Sequence, residues 1–351
     1  MKRFCTLSAI GTLALGHCAH AAITVTVTPP QGGVTYSVDG SNNLTIDATT
    51  AANGTVLAIT ASPDPSDGDY IGNVVINTSD FETHRVFVSI NSTSHSGYLN
   101  NTGVLGVKDL RRGTGSAEVW LQNAFIRGEL GYLTSEGVPT GFLRVNVVSG
   151  TVTVRRNILA DIEALGTLAF TPPSGRVINA IEVPINADNF GNNNDPFLCH
   201  GCDANDQSIL GSVRAYGGGI GSISAYNALG FVGEEVLSQG PVGSISAGGL
   251  AGIFIDMPGY DLGSLVAERG GWGGDPTVDD NGNPTTTPSY PGWISARSIQ
   301  EFRLLGDMAS ELSVGFGPTG GVWKIGGSLT STGLLEFTQD NQLKHQIVIN
   351  E

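Results

Sequence analysis

Beyond the first twenty or so residues, apolar and polar positions alternate in short runs divided by turn residues. Ile23, Val25 and Val27 alternate with threonines. Val34, Tyr36 and Val38 follow across Pro30 and Gly32-Gly33, and Leu44 and Ile46 across Gly40-Ser41-Asn42-Asn43. A period of two with turns between the runs predicts strands, each with one side toward a core. Ser62 to Asp69, containing Pro and Asp, marks a loop or boundary. The strand rhythm then continues at 74–76, 86–90, 104–107, 119–121, 143–148 and 152–154. Helical periodicity is almost absent. Its best candidate, Ile158, Ile162 and Leu165, reads equally as two rungs of strand.

A recurring word sharpens this picture. Gly211-Ser212-Val213-Arg214-Ala215 returns as Gly221-Ser222-Ile223-Ser224-Ala225, as Gly243-Ser244-Ile245-Ser246-Ala247 and as Gly263-Ser264-Leu265-Val266-Ala267. Gly292-Trp293-Ile294-Ser295-Ala296 and Gly327-Ser328-Leu329 are looser copies. Gly211 and Gly263 lie five steps of about ten residues apart, with Phe231-Val232 and Ile253-Phe254-Ile255 at the steps between. One step holds a strand and a turn, so two steps make a coil of about twenty residues. A unit this small cannot bury its own apolar side and must stack on its neighbours. Ile, Val and Leu would then point inward, with Ser and Thr outward or at corners.

In these Gly-Ser-Ile-x-Ala units the chain resembles the secreted bacterial right-handed parallel β-helix proteins. The resemblance implies an all-β fold, a parallel β-helix or solenoid with short N-terminal strands capping it. It rests on the word over 211–330 and on strand rhythm alone over 70–200. The alternative is an antiparallel β-sandwich or barrel, which also strings together short strands; constant spacing of one word favours the solenoid. The expected organisation is a signal peptide at 1–21, N-terminal strands at 22–69 and a solenoid at 70–351. Insertions interrupt it near 187–207 and 270–291. The chain reaches its end on the strand-like Gln346-Ile347-Val348-Ile349, a last strand closing the stack or one that a further coil would continue.

Lys2 and Arg3, the apolar stretch Leu7 to Leu15 and Ala19-His20-Ala21 have the order of a secretory signal with an A-x-A cleavage site. Export to the cell surface or extracellular space is therefore expected. No other stretch approaches the ~20 apolar residues of a transmembrane helix. Gly is abundant, at 50 of 351 residues, and charged residues are only 14%, against an ordinary ~25%. The formal charge of −15 becomes two units more negative without Lys2 and Arg3, a field that repels phosphate backbones and argues against nucleic acid as a partner. With 40% hydrophobic residues the chain can fill a core, which argues against disorder. Cleavage would remove Cys5 and Cys18. Cys199 and Cys202 then most simply form a local disulfide, the rival being a metal site with His200 and Asp203.

Candidate chemistry is sparse. There is no G-x-S-x-G elbow and no H-E-x-x-H. Gly315 to Gly320 matches G-x-G-x-x-G but leads into a strand-like run rather than the helix a dinucleotide needs. Asp279, Asp280, Asn281 and Asn283 place several oxygens in one insertion and suit calcium as the one candidate cofactor; the competing explanation is that Asp and Asn simply favour turns. Trp272, Tyr290 and Trp293 would stack on sugar rings, or else cover a loop base. Glu234-Glu235, Asp256 and Asp261 fall in or near the repeats without forming a catalytic motif. The leading expectation is an exported structural or adhesive solenoid with no catalytic site. The alternative, implied by the β-helix resemblance, is a polysaccharide-binding or polysaccharide-degrading protein. Expected partners are a polysaccharide or another surface protein.

Overall fold

The structure, a computed structural model, describes residues 22–29, 33–62, 70–92, 106–172, 174–184, 207–229, 234–250, 253–268, 292–305, 311–314, 323–325, 334–337 and 347–349. Among them every element is a strand. The first four are β1 (Ala22–Thr28), β2 (Thr35–Val38), β3 (Leu44–Ala48) and β4 (Thr55–Ser62). β1 runs antiparallel to β4, from Ala22 opposite Ser62 to Thr28 opposite Val56, and β2 runs antiparallel to β3. These two strands cover the edges that β3 and β4 would otherwise leave open at the start of the stack.

From there the pairing is parallel. The chain continues through β5 (Tyr70–Thr78), β6 (Arg85–Ser92), β7 (Gly106–Arg112) and β8 (Glu118–Ile126). A short antiparallel hairpin follows, β9 (Tyr132–Leu133) and β10 (Pro139–Thr140). Then come β11 (Phe142–Val145), β12 (Val147–Val154), β13 (Asp161–Ala164), β14 (Arg176–Val183), β15 (Val213–Ala215) and β16 (Gly219–Leu229). Next are β17 (Glu235–Ser238), β18 (Val242–Leu250), β19 (Phe254–Ala267) and β20 (Trp293–Leu304). The last are β21 (Glu311–Val314), β22 (Trp323–Ile325), β23 (Leu334–Phe337) and β24 (Ile347–Ile349).

From β3 to β18, with the β9–β10 hairpin set aside, strands alternate between two parallel ladders, and the long β19 and β20 each contribute to both. The first face stacks β3, β5, β7, β11, β13, β15 and β17, then the start of β19. It continues through the start of β20 to β21 and β23. The second face stacks β4, β6, β8, β12, β14, β16 and β18, then the end of β19. It continues through the end of β20 to β22 and β24. Outside the N-terminal pairs and the β9–β10 hairpin the named pairings are parallel, which excludes the antiparallel sandwich or barrel. The fold is an all-β parallel solenoid. Val213, Val236 and Ile255 occupy successive rungs about twenty residues apart, the coil length that the repeat implies.

The core is built from stacked apolar columns. On the first face Ile162, Val213, Val236, Ile255 and Ile294 lie one above another, each 0–1% exposed. On the second, Ile181, Ile223, Ile245, Leu265 and Phe302 do the same, all at 0%. Each such side chain contributes about 1.5–3 kcal/mol on burial. Ile158 and Ile162 belong to this columnar pattern and to no helix. Ile158 bridges Leu130 and Ile209 in parallel, Ile162 lies inside β13, and Leu165 faces solvent.

The recurring word has a steric reason. Gly221, Gly243 and Gly263 stack within their strands between two inward residues three positions apart, Ile220 and Ile223 and their counterparts. A Cβ at each would run into the backbone oxygen one rung below, Asn179, Gly221 and Gly243 respectively. The serines that follow stay outward and half-buried.

Candidate functional site

The first face carries the densest chemistry among the described residues. Alternation in β13, β15 and β17 turns Ile162, Val213 and Val236 inward, so the residues on either side of each face out. Parallel register then places Arg144 of β11 beside Glu163 and Glu163 beside Arg214. Adjacent rungs are only about 4.8 Å apart, close enough for opposite charges to pair directly.

Arg144 Nε donates to Glu163 Oε2 at 2.5 Å. Arg214 forks across the cluster: Nη1 reaches Asp161 at 3.0 Å and Glu163 at 3.4 Å, and Nε reaches Glu235 at 2.5 Å. Its Nη2 donates to Ser212 Oγ at 3.0 Å, and that oxygen also accepts from the Glu235 N–H at 3.2 Å. Ser212 in turn donates to Glu234, and Asp161 Oδ1 accepts from the Ser212 N–H at 2.9 Å. Burial alone would lower the basicity of Arg214. Hydrogen bonds from its guanidinium to Glu235 and Asp161, with the charge of both carboxylates, more than reverse this and hold the proton above its ordinary level.

Four carboxylates thus meet two guanidiniums, and each carboxylate already accepts a hydrogen bond within the cluster. The two guanidiniums offset half of this carboxylate charge, pairing with Asp161, Glu163 and Glu235, while Glu234 is held by the Ser212 hydroxyl. The same outer column extends to aromatic residues on both sides. Phe142 lies one rung before Asp161, and Phe254 and then Trp293 follow Glu235. Phe142 and Phe254 are 39% and 37% exposed, Trp293 is half-buried, and Arg144 lies over the Phe142 ring at 5.2 Å. From Phe142 to Trp293 the column climbs five rungs, about 24 Å at 4.8 Å each.

The second face is quieter. Ser222, Ser244 and Ser264 form one outward column, and Ser224 stands beside Ser246 in the next. At the corner between the faces, Asp261 accepts two hydrogen bonds from Arg297 and one from Ser298 at 2.7 Å. The Arg297 bonds hold its carboxyl below the ordinary aspartate value, against an opposing effect of burial.

Of the residues singled out from the sequence, Trp293 takes this place on the first face, at the start of β20. Trp272, Tyr290, Asp279, Asp280, Asn281, Asn283, Cys199 and Cys202 lie outside the described residues, as does the 1–21 segment. Glu234 and Glu235 are brought into the cluster, whereas Asp261 is paired at the corner. Among the described residues no group of three or more His, Cys, Asp or Glu is arranged to hold a metal ion. No helix among them is long and apolar enough to cross a membrane. Sequence reasoning missed Arg144, Asp161, Glu163 and Arg214 as a group. The available signal was charge at alternate positions of strands that stack, Asp161-Ile162-Glu163 under Ser212-Val213-Arg214. Compared with family models, curated proteins and solved structures, the chain gives no match.

Proposed function

We propose that this chain is an exported structural or adhesive β-solenoid of the cell surface or extracellular space, with no catalytic site, whose faces meet a polysaccharide or another surface protein. The observation that carries the proposal is the paired ladder on the first face, in which Asp161, Glu163 and Glu235 are engaged by Arg144 and Arg214. The outward serine columns of the second face support it, since hydroxyl groups offer hydrogen bonds but no charged acid or base. Export rests on the N-terminal pattern in the sequence.

One observation favours the second reading, a polysaccharide-binding or polysaccharide-degrading protein. The column from Phe142 to Trp293 flanks polar groups with rings, and rings of this kind stack on sugars. The test incubates the secreted chain with a panel of neutral and acidic polysaccharides. It measures retention on the polymer and release of new chain ends. Retention, or binding to surface proteins, without release is the expected result. Release of chain ends that disappears in Glu163→Gln would overturn the scaffold assignment.

A further inference from the structure

On β8, Val119 and Leu121 face the core, so Glu118 and Trp120 must face outward. Both are nevertheless buried, at 0% and 3% exposure, because the segment following β13 reaches back across two rungs and lies over them. Glu118 Oε1 accepts from two consecutive backbone N–H groups of this strap, Leu168 at 2.6 Å and Ala169 at 3.1 Å. Glu118 Oε2 accepts from the Trp120 indole at 2.6 Å. The Phe170 ring stands edge-on to Trp120 at 6.3 Å, and Trp120 stands edge-on to Phe87 at 5.9 Å. The Arg85 guanidinium lies over Phe170, Trp120 and Phe87, at 4.5, 5.0 and 5.0 Å. Its Nε is buried and has no hydrogen-bond partner.

The strap itself is thinly held. Leu168 is 66% exposed, Ala169 is exposed, and the strap's aromatic contact comes from Phe170 alone. Beyond Glu118, its backbone is tied at Gly166, which exchanges hydrogen bonds with Asn146 at 3.0 and 3.2 Å. Few buried apolar contacts mark segments that open locally while the rest of a fold stays closed. What lies beneath is a ready-made recognition surface: a carboxylate, an indole, a phenyl ring and a guanidinium still short of an acceptor. The strap displays what that surface binds, namely two adjacent peptide N–H groups with an aromatic side chain next to them.

We propose that Glu118, Trp120, Phe87 and Arg85 form a docking groove for an aromatic-bearing peptide segment of a partner protein, and that the strap Gly166–Phe170 occupies this groove in the absence of the partner. The partner's peptide takes the strap's place, and its backbone carbonyl supplies the acceptor that Arg85 Nε lacks. The proposal stands apart from the functional assignment above, since a scaffold and an enzyme alike would carry the strap.

Two variants of the full chain free the strap by different means. Phe170→Ala removes the ring, and Ala169→Pro removes one of the N–H groups that Glu118 holds. The probe is a fluorescent, end-blocked pentapeptide with the sequence of residues 167–171, Thr-Leu-Ala-Phe-Thr. Both variants are expected to bind it about tenfold or more tightly than the parent, whose tethered strap competes at an effective concentration of order millimolar. Adding Trp120→Ala should abolish the gain. Equal binding by parent and variants, or a gain that survives Trp120→Ala, overturns the proposal. Amide exchange on the parent chain decides the matter if the variants do not fold. The Leu168 and Ala169 amides should exchange about tenfold or more faster than those of β8. A single common rate for strap and strand would make the strap a fixed part of the coil and overturn the proposal.

Discussion

At Gly243 a methyl group would be driven into the Gly221 carbonyl one rung below, whereas at Gly259 it would meet nothing within 4 Å. Neither residue has the left-handed backbone that itself demands glycine, so the two differ only in the space around them. Gly243→Ala is therefore expected to cost about 1–3 kcal/mol, the usual range for forcing an atom into close packing. Gly259→Ala should be neutral or stabilise by up to about 1 kcal/mol, through the narrower unfolded ensemble. Urea unfolding of both variants checks this: the midpoint should fall only for Gly243→Ala, with the slope unchanged. Equal midpoints would mean that the stacked glycines have another cause. The glycine column was legible in the sequence because its cause recurs in every coil and so leaves a periodic word. Glu118 was not. Its acceptor role depends on Leu168 and Ala169, which come fifty or so residues later in an irregular segment.

Strands were legible wherever one side meets the core, as in β6, whose burial alternates along its length. What strands do to one another sideways was far less so. The Asp161–Ser212 hydrogen bond and the Asp161–Arg214 ion pair each join residues more than fifty positions apart, with an insertion between them. No window of sequence shows that β13 and β15 are neighbours. Once they are stacked, Arg214 becomes the keystone of its ladder, with its side chain only 21% exposed and three carboxylates on its fork. Arg214→Ala leaves Asp161, Glu163 and Glu235 facing one another without that cation. The expected loss is about 1.5–3 kcal/mol, the range for hydrogen bonds to charged groups. Arg214→Lys should restore only a minor part, because a single ammonium cannot reproduce the fork. Denaturation at low and high salt measures both effects. Full recovery by Lys would show that charge alone, rather than the fork, holds the ladder together.

At the scale of the molecule, strand pairing joins each coil only to the coils next to it, and this fixes how damage should spread. Ile245 is fully buried between Ile223 and Leu265 in the second-face column. Ile245→Asp places a carboxylate there with no partner in the column, and burying an unpaired charge costs several kcal/mol. In a compact domain with one shared core, such a change would lower the stability of every element together. A solenoid behaves as a row of units coupled to their neighbours, so the loss should centre on the altered coil and fade along the stack. Backbone amide protection is therefore expected to collapse in β16, β18 and β19. It should persist in β3 to β6, which the antiparallel strands β1 and β2 cover at the far end. The same mutant distinguishes the alternatives cleanly. Melting like the parent would mean that position 245 does not face a stacked core. Uniform loss from β3 to β20 would mean that the coils fold as one indivisible unit, and the ten-residue word would then reflect local backbone fit rather than a repeating unit of stability. The word spaces the coils, and the pairing of β1 with β4 and β2 with β3 shows that the N-terminal end is covered. A graded profile of protection, strongest at that end, is what those two facts require together.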